Sequence, residues 1–87
     1  MNKPRPVLRL YTRANCHLCD VMKRELRELE HKLEFRLEVH DVDAQAGNKE
    51  KFGDLVPVLL WGRDVICYHQ LDQNLLARAL GKEIPKN

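Results

Sequence analysis

The chain has 87 residues, of which 44% are hydrophobic and 32% are charged, and its formal net charge is +2 at pH 7. This apolar content excludes an intrinsically disordered chain, and the length predicts a single compact domain over residues 1–87 with no second core. Basic and acidic residues alternate along the chain instead of forming blocks, so a nucleic-acid-binding surface is not expected.

The first half of the chain predicts a strand, a helix and a second strand. Residues 7–11 (VLRLY) and residues 35–43 (FRLEVHDVD) alternate apolar and polar side chains, which is typical of strands. Between them, residues 16–33 carry leucines and a methionine at helical spacing, with a charged face interpreted as solvated. The apolar positions expected to face the core are Met22, Leu26, Leu29, Leu33, Phe35, Leu37 and Val39.

The second half predicts a short helical turn, a hairpin and a last helix. A polar turn at residues 43–48 and a helical turn at 49–52 precede the apolar strand 58–61 (VLLW). Gly62 and Asp64 turn the chain into the strand 65–68. Asp72 is a preferred N-cap, Leu75, Leu76 and Leu80 are expected to point inward, and Gly81 is a stop signal. The final residues, KEIPKN, are expected to fray.

The resulting order is βαβαββα, an α/β arrangement. A helix between two early strands predicts a right-handed parallel crossover, whereas the late hairpin is antiparallel, so the expected sheet is mixed, four-stranded and flanked by helices. The opening residues MNKPRPVLRLYT lack the apolar core of a signal peptide, and no segment is long enough to cross a bilayer. We therefore expect a cytoplasmic protein that does not bind membranes.

Three cysteines, Cys16, Cys19 and Cys67, raise the question of catalysis or metal binding, because structural disulfides are rare in a reducing compartment. A Cys-x-x-Cys pair at the start of a helix places both side chains on one face, about 5–6 Å apart at Cβ. Asn15 is the expected N-cap, which makes Cys16 the first helical residue, beside unpaired N–H groups and the positive end of the helix dipole.

Charges around the motif are expected to make Cys16 unusually acidic. Arg13 and His17 provide cations that favour the thiolate, and Asp20 opposes them with one carboxylate. The sequence therefore predicts that Cys16 titrates below an ordinary cysteine and that Cys19 does not.

Two motifs resemble the thioredoxin superfamily, most closely its glutaredoxin-like branch: YTRANCHLC after a strand, and VPVLLWG before a hairpin. The resemblance implies a thioredoxin-like fold and a thiol-disulfide oxidoreductase without metal or organic cofactor. It implies that Cys16 attacks a substrate disulfide and that Cys19 resolves the mixed disulfide. Pro57 corresponds to the cis-proline of that superfamily, where Val56 offers its backbone to an extended substrate, and Arg13 matches a basic residue that glutaredoxins place before the motif.

Partners follow from the same resemblance. The substrate is a disulfide-containing protein or small molecule, the protein is expected to be a monomer, and glutathione or a thioredoxin-type reductase restores the dithiol. Residues 67–73 (CYHQLDQ) lack the Gly-Gly turn and the Ser/Thr-Asp pair with which glutaredoxins hold the glutathione carboxylate. Glutathione binding is therefore left open.

Two alternatives compete with redox catalysis. A zinc site would use Cys16, Cys19 and Cys67 with His69 or His17 as the fourth ligand, although a second Cys-x-x-Cys or His pair is missing. A thioredoxin-like binding domain would keep the dithiol with little turnover. Cys67 is otherwise expected to pack in the hairpin as a small apolar residue. Trp61 and Phe52 are expected in the core, and Tyr11 beside the dithiol.

Overall fold

A computed structural model describes residues 4–84 and consists of one mixed sheet with packed helices. Its elements are β1 (Val7–Thr12), α1 (His17–Lys32), β2 (Arg36–Asp41), a 3-10 turn (Val42–Ala44), α2 (Ala46–Phe52), β3 (Val58–Trp61), β4 (Asp64–Tyr68) and α3 (Gln73–Leu80). The strand order is β2-β1-β3-β4. β1 pairs with β2 in parallel, and β3 is antiparallel to both β1 and β4. The predicted α/β class, element order and mixed four-stranded sheet are confirmed.

Two apolar clusters hold the sheet between its helices. The larger one joins the inward faces of α1 and α3 to β1, with Leu8, Leu10, Met22, Leu26, Leu29, Leu33, Phe35, Leu37, Leu59, Cys67 and Leu76 buried. The smaller cluster joins α2 to the sheet through Tyr11, Val42, Phe52, Val58 and Leu60. The helical spacing in α1 therefore identified its core face correctly.

Several core assignments were wrong, at Val39, Trp61 and Leu75. Val39 lies on the edge strand β2 and is 36% exposed, because no strand covers its outer side. Trp61 is exposed where β3 enters the hairpin turn. Leu75, in the first turn of α3, lines a shallow groove with Val65 and Ile66 instead of entering the core.

Element boundaries also differ from the sequence prediction. The polar segment after β2 is a 3-10 turn followed by α2 from Ala46, so the helix is longer than the turn predicted at 49–52. Its N-cap, Gln45, makes no side-chain capping bond. Glutamine is not one of the preferred capping residues, so the sequence carries no usual signal for a helix start at this position. Asp72 does cap α3, accepting a 3.0 Å hydrogen bond from the Leu75 N–H, and Gly81 ends it in a left-handed conformation.

Within residues 4–84, no helix is both long enough and apolar enough to cross a membrane. The predicted fraying of KEIPKN falls partly on residues 85–87, and the signal-peptide argument partly on residues 1–3. Both of these segments lie outside the described residues.

Candidate active site

The sulfur of Cys16 caps the first helix. Cys16 is the N-cap of α1, with extended backbone (φ −108°, ψ 105°), and its Sγ accepts a 3.1 Å hydrogen bond from the Cys19 backbone N–H. The two cysteines form a disulfide with a Cα–Cα distance of 5.2 Å. A sulfur at this position occupies the place that a capping oxygen usually takes, where an orphan N–H group and the helix dipole favour negative charge.

The prediction that Asn15 caps the helix and that Cys16 begins it was wrong by one residue. Asn15 has a left-handed backbone (φ 59°), a conformation that asparagine tolerates better than most residues. This turn directs the chain so that regular helical geometry begins at His17 and the cap falls on Cys16. The shift strengthens the chemical expectation, because the sulfur itself now accepts the N–H bond.

The two sulfurs differ in accessibility. Cys16 is half-buried, whereas Cys19 is 1% exposed and lies against the core. Cys16 is therefore the more accessible of the two cysteines from solvent. The Cys16–Cys19 pair fits a Cys-x-x-Cys redox motif.

The Val56–Pro57 peptide bond is cis, as the resemblance implied. Val58 pairs with Tyr11 in the antiparallel register of β3 and β1, so the preceding residues run beside the end of β1, which leads into the cysteine motif. Pro57 is buried, and its carbonyl accepts a 2.8 Å hydrogen bond from the His69 N–H. Within residues 4–84, neither the N–H nor the C=O of Val56 forms a backbone hydrogen bond.

Arg13 is held by a carboxylate that the sequence analysis did not identify. Its Nε and Nη2 donate to the two oxygens of Asp43 at 2.8 and 2.9 Å, and its Nη1 donates to the Gly53 carbonyl at 3.1 Å. The hydrogen bond to Asp43 raises the pKa of Arg13, and the same bond from Arg13 lowers the pKa of Asp43. Asp43 lies 30 residues away in a polar turn without a motif, so no local pattern pointed to it.

Two further residues singled out from the sequence are His17 and Tyr11. His17 is the exposed first residue of α1. Tyr11 is buried and stacks on Phe52, with ring centroids 5.3 Å apart, so it packs in the smaller cluster.

Cys67 packs in the hairpin as predicted, in the larger apolar cluster. Burial raises the pKa of its thiol. In the described part of the chain, no three His, Cys, Asp or Glu side chains come together in an arrangement that could hold a metal ion. The ligand set proposed for zinc is therefore not assembled by this fold.

Comparisons with known proteins agree with this geometry. The family model for the glutaredoxin-like domain (DUF836) matches residues 7–81. The uncharacterized protein Rv0508 of Mycobacterium tuberculosis is 35% identical over 77 residues, covering 83% of this chain and 79% of its own. The solution NMR structure of protein Ne2328 from Nitrosomonas europaea superposes with a TM-score of 0.77 at 34% identity, over 91% of this chain and 96% of the other. The X-ray structure of protein XcR50 from X. campestris gives 0.63 at 27% identity, over 85% and 95%.

Proposed function

The chain belongs to the glutaredoxin-like domain (DUF836) family, and we propose that it is a thiol-disulfide oxidoreductase whose Cys16–Cys19 dithiol reduces substrate disulfides. The observation that carries this proposal is the half-buried Cys16 sulfur at the N-cap of α1, bonded to the Cys19 N–H with the Cys19 sulfur buried behind it. Capping by a backbone N–H and the helix dipole stabilises a thiolate, which is the nucleophile in disulfide exchange.

The first step is attack by the Cys16 thiolate on one sulfur of the substrate disulfide. A bond forms between Cys16 and that sulfur, the substrate S–S bond breaks, and the other substrate sulfur leaves as a thiolate. The result is a mixed disulfide. Val56 supports this step, since its free N–H and C=O are available to pair with an extended substrate segment.

In the second step, the Cys19 thiolate attacks the Cys16 sulfur. The internal disulfide forms, the second substrate thiolate leaves, and both released thiolates take protons from water. The substrate gains two electrons and the dithiol loses them. Glutathione or a thioredoxin-type reductase then returns two electrons to the protein, and we place this cycle in the cytoplasm, where such donors keep thiols reduced.

Arg13 and His17 are proposed to favour the Cys16 thiolate by their charge. The charges of Arg13 and His17 act under different conditions. The Arg13 cation is neutralised in part by its ion pair with Asp43, whereas His17 is exposed at the positive end of the helix and acts only when protonated.

Trapping of the mixed disulfide tests the cycle. The reduced protein, Cys16→Ser and Cys19→Ser are each equilibrated with glutathione redox buffers, quenched with acid, alkylated and weighed by mass spectrometry. We expect a stable adduct on Cys19→Ser, an internal disulfide in the unmodified protein, and no adduct at position 19 in Cys16→Ser. Equal trapping on both variants would contradict the assigned roles. A dithiol that never oxidises would favour the non-catalytic binding domain instead.

A further inference from the structure

A cavity of about 210 Å³ lies between α1 and the segment that follows β4. One wall is a single face of α1, with Leu18, Val21, Met22 and Glu25 at the i, i+3, i+4 and i+7 positions. The opposite wall is formed by His69, Gln70 and Leu71. The left-handed backbone of His69 (φ 71°) turns the chain after β4 into this position.

Both walls of the cavity are continuous with the candidate active site. Leu18 stands between the two cysteines in the chain and is 43% exposed at the rim. His69 is bonded through its backbone N–H to the carbonyl of Pro57. A polypeptide paired with Val56 and reacting at Cys16 therefore has a neighbouring side chain within reach of this cavity.

The lining combines apolar side chains with one carboxyl group, and His69 and Gln70 add polar side chains on the opposite wall. Leu18, Val21, Met22 and Leu71 provide hydrocarbon walls, and Met22 is fully buried as the floor. Glu25 is half-buried, and within residues 4–84 no Lys, Arg or His forms an ion pair with it. A carboxylate in partly apolar surroundings that forms no ion pair within residues 4–84 is complementary to a cation on an apolar stem.

We propose that this cavity receives a lysine or arginine side chain of a polypeptide substrate, next to the disulfide that Cys16 attacks. This assignment rests on the proposed oxidoreductase function and adds the substrate class. The volume lies below the range of about 300–1,000 Å³ typical of drug-sized ligands and suits one side chain. The stem packs on the leucines and the valine while the cationic end meets Glu25. Acidic substrates, including glutathione disulfide with its net negative charge, meet a repelling carboxylate.

The test measures single-turnover reduction of small disulfides by the pre-reduced protein. The probes are four disulfides: hydroxyethyl disulfide, which is uncharged, and three symmetrical peptide disulfides that differ at one residue beside cysteine, which is lysine, norleucine or glutamate. Rates come from acid quenching, alkylation and mass spectrometry. The variants are Glu25→Gln and Glu25→Lys, with Glu28→Lys as the control, since Glu28 is an exposed residue of the same helix outside the cavity.

The unmodified protein is expected to reduce the lysine peptide about fivefold faster than the glutamate peptide, the scale of one partly exposed charge pair. Glu25→Gln abolishes that preference, Glu25→Lys reverses it, and Glu28→Lys leaves it intact. Equal rates for the lysine and glutamate peptides, a preference for norleucine over both, or the same reversal in Glu28→Lys would each overturn the proposal. Reduction of hydroxyethyl disulfide distinguishes failure of the proposed oxidoreductase function from failure of the proposed substrate class. If the unmodified protein fails to reduce it, the oxidoreductase function falls together with the substrate class, whereas normal reduction without peptide selectivity overturns the substrate class alone.

Discussion

Arg13 is the residue whose contacts most change the picture drawn from the sequence. Its guanidinium makes a two-point ion pair with Asp43 and a third bond to the Gly53 carbonyl, which ties the loop before Cys16 to the segments around α2. Asp43 therefore offsets part of the positive charge of Arg13. Under the proposed function, the Arg13 side chain has two separable tasks, one of tethering the loop and one of favouring the Cys16 thiolate.

Substitution of each partner distinguishes these tasks. We expect Arg13→Gln to raise the pKa of reduced Cys16, because a cation is lost, and Asp43→Asn to lower it, because the opposing carboxylate is lost. Absorbance near 240 nm, followed against pH, reports the thiolate in each variant. If the Cys16 pKa stays the same in both variants while their stability falls, Arg13 only tethers the loop. Asp20→Asn, in the first turn of α1, serves as a second carboxylate control and should also lower the pKa.

Cys67 provides a contrast within the same chain. It is 8% exposed, and burial raises the pKa of its thiol, so at neutral pH it is both protonated and shielded. Alkylation by iodoacetamide at pH 7.5, after reduction, is expected to modify Cys16 first and Cys67 only when denaturant is added. Peptide mapping of the alkylated protein measures the order. Modification of Cys67 in the folded protein at a rate comparable to Cys16 would refute this assignment.

At the level of elements, α1 covers the edge strand β2 through an ion pair. Arg27 and Glu30 bind each other, and both also bind Leu37: the Glu30 carboxylate accepts a 2.7 Å hydrogen bond from its N–H, and Arg27 donates to its carbonyl at 3.3 Å. Leu37 thus has both backbone groups satisfied by side chains of α1. Edge strands with free backbone groups invite pairing with other chains, so this contact protects the sheet as well as stabilising it.

Removal of Glu30 should destabilise the fold through that contact. Glu30→Ala is expected to cost about 1–3 kcal/mol, the scale of a hydrogen bond to a charged group, and Glu28→Ala on the exposed face about 0.5 kcal/mol or less. Partial burial acts to raise the pKa of Glu30, but the Leu37 N–H and Arg27 outweigh it and hold that pKa below its ordinary value. The contribution of the ionised Glu30 carboxylate to the free energy of unfolding is therefore fully present above the unfolded pKa of about 4.3, and it is lost as pH falls through the folded pKa.

Urea unfolding at pH 7 and at pH 3 measures both parts of this prediction. The difference in the free energy of unfolding between the unmodified protein and Glu30→Ala should be smaller at pH 3. At that pH the carboxyl is protonated and no longer holds its bonds to Arg27 and to the Leu37 N–H in the same way. An equal difference at the two pH values would show that the side chain acts by packing alone.

The positions of these elements could be predicted from the sequence where their apolar residues form a clear pattern and pack against the core. The apolar positions of α1 followed from their helical spacing, because burial on one face imposes that spacing, and the hairpin of β3 and β4 followed from an apolar run and the turn at Gly62 and Asp64. The Arg27–Glu30–Leu37 contact could not be predicted, since the charged face of α1 was interpreted as solvated and the partner lies on another element. Likewise, the N-cap at Cys16 depends on a left-handed Asn15, which residue preferences alone assign to the cap itself.

At the scale of the whole molecule, the candidate site lies where the two apolar clusters meet the ends of β1 and β3. Leu10, in the larger cluster, and Tyr11, in the smaller, are consecutive residues of β1, six and five positions before Cys16. Leu55 and Val56 pack against the smaller cluster, next to the cis-proline. The geometry of the dithiol and of the Val56–Pro57 segment is thus set by packing on both sides of the sheet, which a local motif does not encode.

This coupling predicts that the redox state changes the free energy of unfolding in a pH-dependent way. In the oxidised protein, the bridge between residues three apart in the chain closes a short loop, and the chain-entropy model gives about 2 kcal/mol of stabilisation for it. In the reduced protein, a Cys16 thiolate at the N-cap contributes about 1.4 kcal/mol for each unit by which folding lowers its pKa. If folding lowers the pKa of Cys16, as proposed, this contribution is fully present above about pH 8.5 and is lost as pH falls through the folded value.

The stability difference between the oxidised and reduced forms should therefore be largest near pH 5 and narrow toward pH 9. Titrating groups other than Cys16 and Cys19 are common to both forms and cancel in the difference, and Cys19 is expected to stay protonated below its ordinary pKa of about 8.5. Urea unfolding of each form measures this difference, in a Cys67→Ala background that prevents disulfide exchange with the third thiol once unfolding exposes it. The control is Cys16→Ser compared with the reduced protein, since a serine hydroxyl does not ionise in this pH range. The stability of Cys16→Ser relative to the reduced protein should therefore decline as pH rises. A difference that stays constant from pH 5 to pH 9 would mean that the fold does not favour the Cys16 thiolate, and the capping bond would then be a structural contact without chemical consequence.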